Sequence, residues 1–132
     1  MMLACTIISA ISALFSAIAA FIALFNGILT SHGNVELQIR AMISDAKHRR
    51  LNYLGNKKEV AQALDEDLLN AYDEACAKYI DRKVDKNRFY KMYMHEIRQL
   101  VEQEPYKQIF NEKSCRFDSI LKVYEKWNHK DR

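Results

Sequence analysis

The sequence predicts an all-α protein in which one N-terminal transmembrane helix is followed by a small cytoplasmic bundle of about four helices. The charge distribution supports this, because all 20 Lys and Arg and all 17 Asp and Glu of the 132-residue chain lie from Glu36 onward. Apolar side chains in that charged part recur at helical spacing. The strict alternation of apolar and polar residues that is typical of strands is absent.

The apolar segment from Leu3 to Phe25 is long enough to cross a membrane. A helix of this length extends over about 34 Å, and a hydrocarbon core is about 30 Å thick. A secretory signal has a basic start and a shorter apolar stretch, but no Lys or Arg precedes this segment. We therefore predict a retained anchor in residues 1–30, in preference to a cleaved signal or a buried soluble helix.

Basic residues on one side of the segment predict its orientation. Arg40, Lys47, Arg49 and Arg50 follow it and none precedes it, and flanking Lys and Arg favour the cytoplasmic side. We predict a single-pass protein of the inner (plasma) membrane with its N-terminus outside and its charged domain in the cytoplasm. Three widely spaced cysteines agree with a reducing compartment.

Small side chains share one face of the predicted membrane helix. At about 100° per residue they form a stripe of Ser9, Ser12, Ser16, Ala20, Ala23 and Gly27. Helices approach closely in lipid where small residues meet. We expect this stripe to be the transmembrane packing face, through which the chain forms a homo-oligomer or binds another membrane helix. The alternative is that Ala and Ser, which are common in membrane helices, segregate here by chance.

Breaking residues divide the charged part into a stalk and a domain. A turn at 31–34 and a stop at Gly55 bound a juxtamembrane stalk helix in residues 31–55, which is also compatible with a first core helix. Residues 56–132 form the predicted helical domain.

Capping signals mark the helices of this domain. Asn56 and Asp85 are predicted to begin its first two helices, and Pro105 follows the end of the second. A short helical piece at 106–110 and a last helix that carries Trp127 complete the bundle.

The residue patterns do not predict an enzyme. His95-Glu96-Ile97-Arg98-Gln99 resembles a zinc-binding HExxH motif, but Gln99 stands where the second histidine is required. Cys76 on an apolar helical face is predicted to be a buried thiol, and the acidic run at 65–67 to be a solvated face. We therefore predict no catalytic residue, no metal and no cofactor.

A basic stretch with interleaved aromatic residues is the candidate partner or anion-binding surface. Its members are Lys78, Arg82, Lys83, Lys86, Arg88, Tyr90, Lys91 and Met94. An unidentified cytoplasmic protein, anionic lipid headgroups or nucleic acid could bind there, whereas the simplest interpretation is a helical corner whose aromatic rings enter the core. Nucleic acid is disfavoured because the isoelectric point of 8.7 lies below the values above about 9 that are typical of such domains.

The segments "LLNAYDEACAKYIDRKVDKNRFYKMYMHEIRQLV" and "FDSILKVYEKW", behind a neutral apolar N-terminus, give the chain a layout that resembles small single-pass membrane proteins of bacterial and prophage-like genomes. The resemblance lies in the architecture and in loose motifs such as Phe89-Tyr90 and Tyr124-x-x-Trp127. It implies a bacterial inner membrane, a helical cytoplasmic domain, and a role in mobile-element biology such as phage defence or exclusion. It transfers no catalytic residue.

Three functional hypotheses follow from the sequence. The first is a membrane-anchored protein-interaction module that self-associates through its transmembrane helix. The second is a membrane-perturbing effector or toxin whose transmembrane helices assemble. The third is a membrane-tethered nucleic-acid-binding protein that uses residues 78–93.

Overall fold

A computed structural model describes the backbone of residues 2–111 and 116–130 and the side chains of 13–111 and 116–129. It contains α1 (Met2–Asn52), α2 (Lys58–Ile80), α3 (Lys86–Glu102), α4 (Lys107–Asn111) and α5 (Asp118–Lys130). These ranges contain no strand, so the all-α prediction is confirmed. The chain forms two compact units, one that ends at Asn34 and one that begins at Val35.

The first unit contains the apolar part of α1. Every side chain from Ala13 to Ser31 is exposed, and this part of α1 is long and apolar enough to cross a membrane, with a mean hydropathy of 2.0. Among the polar residues of this part, the Thr30 hydroxyl donates to the Asn26 carbonyl at 2.9 Å. That bond satisfies the hydroxyl within its own helix.

The predicted turn at residues 31–34 is helical and belongs to α1. Neither Gly27 nor Gly33 has a positive φ, so these glycines do not redirect the backbone. A glycine inside a helix costs about 0.5–1 kcal/mol relative to alanine, which the neighbouring helical hydrogen bonds can outweigh. The turn prediction was wrong because glycine permits a break without requiring one.

The second unit has a continuous apolar core to which every helix from α1 to α5 contributes. Ile39, Ile43 and Ala46 of α1 are buried in it, so this part of α1 is a core helix. Each of the remaining helices buries at least one apolar side chain in the same interior. The buried residues that they and their connections supply are Leu68, Leu69, Ala71, Tyr72, Ala75, Cys76, Tyr79, Val84, Phe89, Tyr93, Ile97, Leu100, Phe110, Phe117, Ile120, Val123 and Trp127.

Aromatic side chains form the centre of the α2–α3–α5 contact. The ring of Tyr79 lies 5.1 Å from that of Phe89 and 5.6 Å from that of Trp127, and the Phe89 and Tyr93 rings are 4.8 Å apart. Trp127 Nε1 donates a buried hydrogen bond to the Tyr79 hydroxyl at 3.1 Å. This hydrogen bond offsets the free-energy cost of removing the indole N–H and the hydroxyl from water.

Two helix starts differ in how they are capped. The predicted cap at Asp85 is confirmed, because its carboxylate accepts from the Arg88 N–H at 2.7 Å. The first domain helix begins at Lys58 with Lys57 at the N-cap position and no side-chain cap, so the predicted cap at Asn56 was wrong. The residues around it are exposed and outside the core, so nothing there fixes an Asn side chain over the helix end.

The start of α5 is capped by another helix. The Asp73 carboxylate of α2 accepts from the Ser119 and Ile120 N–H groups at 2.9 and 3.1 Å. These are two of the amides that an isolated helix leaves without a partner at its N-terminus. The cap therefore joins α2 and α5 as well as starting the helix.

Two large apolar residues that continue the helical spacing of apolar side chains lie outside the core. Leu54 is 93% exposed and Val60 is 39% exposed. Leu54 lies in the connection after α1, and Val60 lies in the first turn of α2. Helical spacing alone could not show that these turns lie beyond the packed part of the bundle.

Candidate functional site

The apolar segment of α1 carries most of the exposed large apolar side chains in the described part of the chain. None of its most apolar window is buried, and Phe21, for example, is 71% exposed. A water-soluble monomer rarely leaves so long an apolar surface open. The other large side chains of this surface are Leu14, Phe15, Ile18, Ile22, Leu24, Phe25, Ile28 and Leu29.

Four members of the predicted packing stripe can be placed. Ser16, Ala20, Ala23 and Gly27 are exposed on α1, whereas the side chains of Ser9 and Ser12 lie outside the described residues. A Cβ added at Gly27 would meet no atom within 4 Å. A second helix could therefore approach the backbone closely at this position.

The predicted basic surface forms a corner where α2 turns into α3. We call residues 78–91 the basic corner. Glu36 of α1 holds it in place, because its carboxylate accepts from Arg88 Nη1 at 2.8 Å and from the Asp85 N–H at 3.2 Å. The Glu36 side chain is only 12% exposed, which strengthens both bonds relative to surface pairs.

Cations on the two sides of the corner are partly engaged by neighbours. Lys78 Nζ lies 3.8 Å from a Glu74 carboxylate oxygen. Lys86 Nζ and Lys126 Nζ lie 5.9 and 5.5 Å from the centroid of the Tyr79 ring. These distances suit cation–π attraction, so the buried aromatic centre also positions positive charge at the surface.

Three cations of the basic corner, two in the turn and one on α3, are the least engaged by neighbouring side chains. Arg82, Lys83 and Lys91 are exposed, and none of the ion pairs found among the described residues involves them. Arg82 adopts a φ of 59°, the left-handed conformation that closes a helix.

Tyr90 and Met94, two members of the predicted partner or anion-binding surface, are half-buried. The Tyr90 ring packs edge-on against Trp127 at 5.1 Å. The other aromatic rings interleaved with the basic residues, those of Tyr79, Phe89 and Tyr93, are buried. Only Tyr90 among them is open to a partner, so the corner has no row of rings on which successive bases could stack.

Sequence patterns did not indicate a second polar cluster, which lies between α1, α2 and α3. Glu96 accepts from Lys47 Nζ at 2.7 Å and from the Tyr72 hydroxyl at 2.5 Å. Burial, and then the bond to Glu96, raise the pKa of Tyr72. Glu96 belongs to the incomplete HExxH motif. Its contact with Lys47 could not be predicted, because the two residues lie 49 positions apart in the sequence.

Asp65 forms a matching cluster nearby. It accepts from Arg50 Nε at 2.5 Å and from the Tyr106 hydroxyl at 2.8 Å. Burial and the bond to Asp65 raise the pKa of Tyr106 to about 12, and the same carboxylate raises the pKa of Arg50. The prediction that residues 65–67 are only a solvated face was therefore wrong for Asp65.

An open cleft of about 280 Å³ lies between these clusters, with Lys47, Tyr72, Glu96 and Tyr106 in its walls. Each of these polar groups already has a protein partner. These four side chains therefore offer the cleft no unpaired acid, base or nucleophile.

The remaining candidate reactive residues can also be placed. The Cys76 thiol is fully buried and burial raises its pKa, which confirms the predicted buried thiol. His95 is exposed on α3. In the described ranges of the chain, no three His, Cys, Asp or Glu side chains are arranged to hold a metal ion.

No protein-family model, curated protein or solved structure matches the chain.

Proposed function

We propose that this protein is a single-pass membrane protein that anchors a helical protein-interaction domain at the cytoplasmic face of the plasma membrane. The observation that carries the proposal is the complete exposure of the apolar part of α1. The second unit closes its own core and leaves no buried polar side chain without a hydrogen-bond partner in the described residues. The exposed apolar surface therefore needs a cover, and a bilayer provides one along the whole segment.

The orientation rests on charge. Arg40, Lys47, Arg49 and Arg50 follow the apolar segment, which has no basic residue before it. This asymmetry favours a cytoplasmic second unit. The resemblance to small single-pass proteins of bacterial and prophage-like genomes supports the inner membrane of a bacterium as the setting, and phage defence or exclusion as the biological role.

Reporter fusions after Arg132 test the orientation in a bacterial host. Green fluorescent protein should fluoresce there, and alkaline phosphatase should be inactive, because the first folds in the cytoplasm and the second requires export. A matched control adds Lys residues before Leu3, which should weaken or reverse the bias. Active phosphatase on the unaltered chain would contradict the proposed orientation.

Self-association through the small-residue stripe is the second part of the proposal. Ala23 and Gly27 are exposed, and Gly27 has open space around it. Leu at both positions should fit the isolated helix and obstruct a partner helix. We expect crosslinked oligomers in membranes to decrease roughly tenfold. Ile18→Leu with Ile22→Leu, on the other face, is the matched control and should leave them unchanged. Equal crosslinking in all three chains would contradict a packing role for the stripe.

A further inference from the structure

The basic corner carries exposed cations, which are not needed for packing the core, and partly exposed apolar side chains. Arg82, Lys83 and Lys91 are exposed and form none of the ion pairs found among the described residues. Ile80 beside them is 43% exposed, and the half-buried ring of Tyr90 lies on the same corner. Cations mixed with an exposed aliphatic side chain and a Tyr ring are the combination that favours the headgroup region of a membrane.

The position of the corner along the chain gives it access to that region. Leu29 is the last large apolar residue of the exposed segment, and Glu36, which binds Arg88 and the Asp85 N–H, follows it by seven residues. Seven residues reach at most about 25 Å even when fully extended. The hydrogen bonds of Glu36 therefore join the corner to a residue that follows the exposed apolar segment closely in the chain.

We infer that the basic corner is a docking surface for anionic phospholipid headgroups, through which the cytoplasmic domain contacts the membrane that anchors it. This inference rests on the proposed membrane anchor. Each Lys or Arg near an anionic surface strengthens membrane binding about fivefold. Tethering raises the effective concentration of lipid at the corner, so a few such contacts suffice.

The Arg88–Glu36 ion pair gives the surface a fixed geometry. Arg88 is 62% exposed while it binds Glu36, so its guanidinium can contact a phosphate without leaving its partner. Nucleic acid offers phosphates as well, but the burial of Tyr79, Phe89 and Tyr93 removes the stacking platform that single strands use. Lipid headgroups require no such platform.

Lysine acylation of the full chain in lipid nanodiscs tests the inference. Lys83 reports on the corner, and the exposed Lys58 is an internal reference, because it lies at the other end of α2, about 33 Å away along the helix. The ratio of Lys83 to Lys58 acylation is measured by mass spectrometry in discs of phosphatidylcholine alone and in discs that also contain phosphatidylglycerol. We expect phosphatidylglycerol to lower the ratio about threefold or more, and salt at about 0.5 M to restore it.

A charge variant and its matched control distinguish the effect of positive charge at the corner from the effect of the net charge of the protein. Arg82→Gln with Lys91→Gln should return the ratio to its value in phosphatidylcholine. Lys57→Gln with Lys107→Gln removes the same charge away from the corner and should leave the decrease intact. Both variants keep the Arg88–Glu36 pair and the buried residues, so the fold is preserved.

The outcomes that overturn the inference are distinct. Equal ratios in the two kinds of disc, with the chain retained in both, would overturn the headgroup contact and leave the anchor standing. Protection of Lys83 by an RNA oligonucleotide but not by phosphatidylglycerol would assign the surface to nucleic acid. A chain that elutes apart from the discs would overturn the anchor, and this inference with it.

Discussion

At the scale of single residues, the Tyr79 hydroxyl forms a buried hydrogen bond in the aromatic centre. It accepts the buried Trp127 Nε1–H at 3.1 Å, and its ring contacts Phe89 and Trp127. Removal of one partner from a buried hydrogen bond leaves the other unsatisfied, which costs about 1–3 kcal/mol.

Tyr79→Phe should therefore lower the free energy of unfolding by about 1–3 kcal/mol. Urea unfolding of the full chain in detergent, followed by the emission of the single tryptophan, measures the change. Tyr124→Phe is the matched control. The Tyr124 hydroxyl bonds to Glu102 at an exposed site, where water can replace the bond, so its cost should be below about 0.5 kcal/mol. Equal losses for the two variants would contradict the role of the buried bond.

The Cys76 thiol should be unreactive in the folded protein. It is fully buried and burial raises its pKa, so both access and the thiolate fraction are low. In a chain with Cys5→Ser and Cys115→Ser, maleimide labelling at neutral pH should be at least about 100-fold slower than in urea. Labelling at the same rate in both conditions would show that the packed core of α2 is open in solution.

At the scale of helices, the contact of Asp73 with the start of α5 joins two elements. Asp73→Ala should lower the free energy of unfolding by about 0.5–2 kcal/mol, because two N–H groups of α5 lose their acceptor. Asp73→Asn keeps an acceptor oxygen and should lose less. Glu74→Ala, an exposed neighbour, is the control. Urea unfolding in detergent compares the three, and a Glu74 effect as large as that of Asp73 would contradict the capping role.

The helical state of residues 31–34 gives a second prediction at this scale. Because Gly33 lies inside α1 and a Cβ there meets no atom within 4 Å, Gly33→Ala should slow amide exchange in residues 31–37 about two- to fivefold. Ala41→Gly, at an exposed position of the same helix, should accelerate exchange nearby. Hydrogen exchange in nanodiscs measures both. Faster exchange after Gly33→Ala would indicate the turn that the sequence pattern predicts.

For the whole molecule, most of the helical architecture could be predicted because it depends on local patterns. The periodicity of Phe89, Tyr93 and Ile97 and the cap at Asp85 are properties of neighbouring residues, and the structure confirms them. The links of Glu36 to the basic corner and of Asp73 to α5 could not be predicted. Each joins residues more than 45 positions apart, and one sequence carries no signal of which distant groups meet.

The same division holds for the candidate sites. The exposure of the apolar part of α1 could be predicted from composition. A helix that packs in a soluble protein usually has one charged or polar face, and this segment contains no charged residue. The sequence located the basic corner but did not show which of its cations bind neighbouring side chains and which remain exposed. Helical spacing indicated that Tyr79 and Phe89 face the core, and their burial agrees with it. Only the packing shows that Glu36 binds Arg88 while Arg82 and Lys83 remain exposed.

The intact mass of the protein in carbonate-washed membranes tests the central claim most directly. A retained transmembrane helix predicts the full 15.5 kDa chain in the membrane pellet, because alkaline carbonate releases peripheral proteins and leaves spanning helices in place. A shorter chain outside the membrane would identify the apolar segment as a cleaved signal. The full-length chain in the supernatant would show that another protein surface covers α1, and would contradict the membrane anchor.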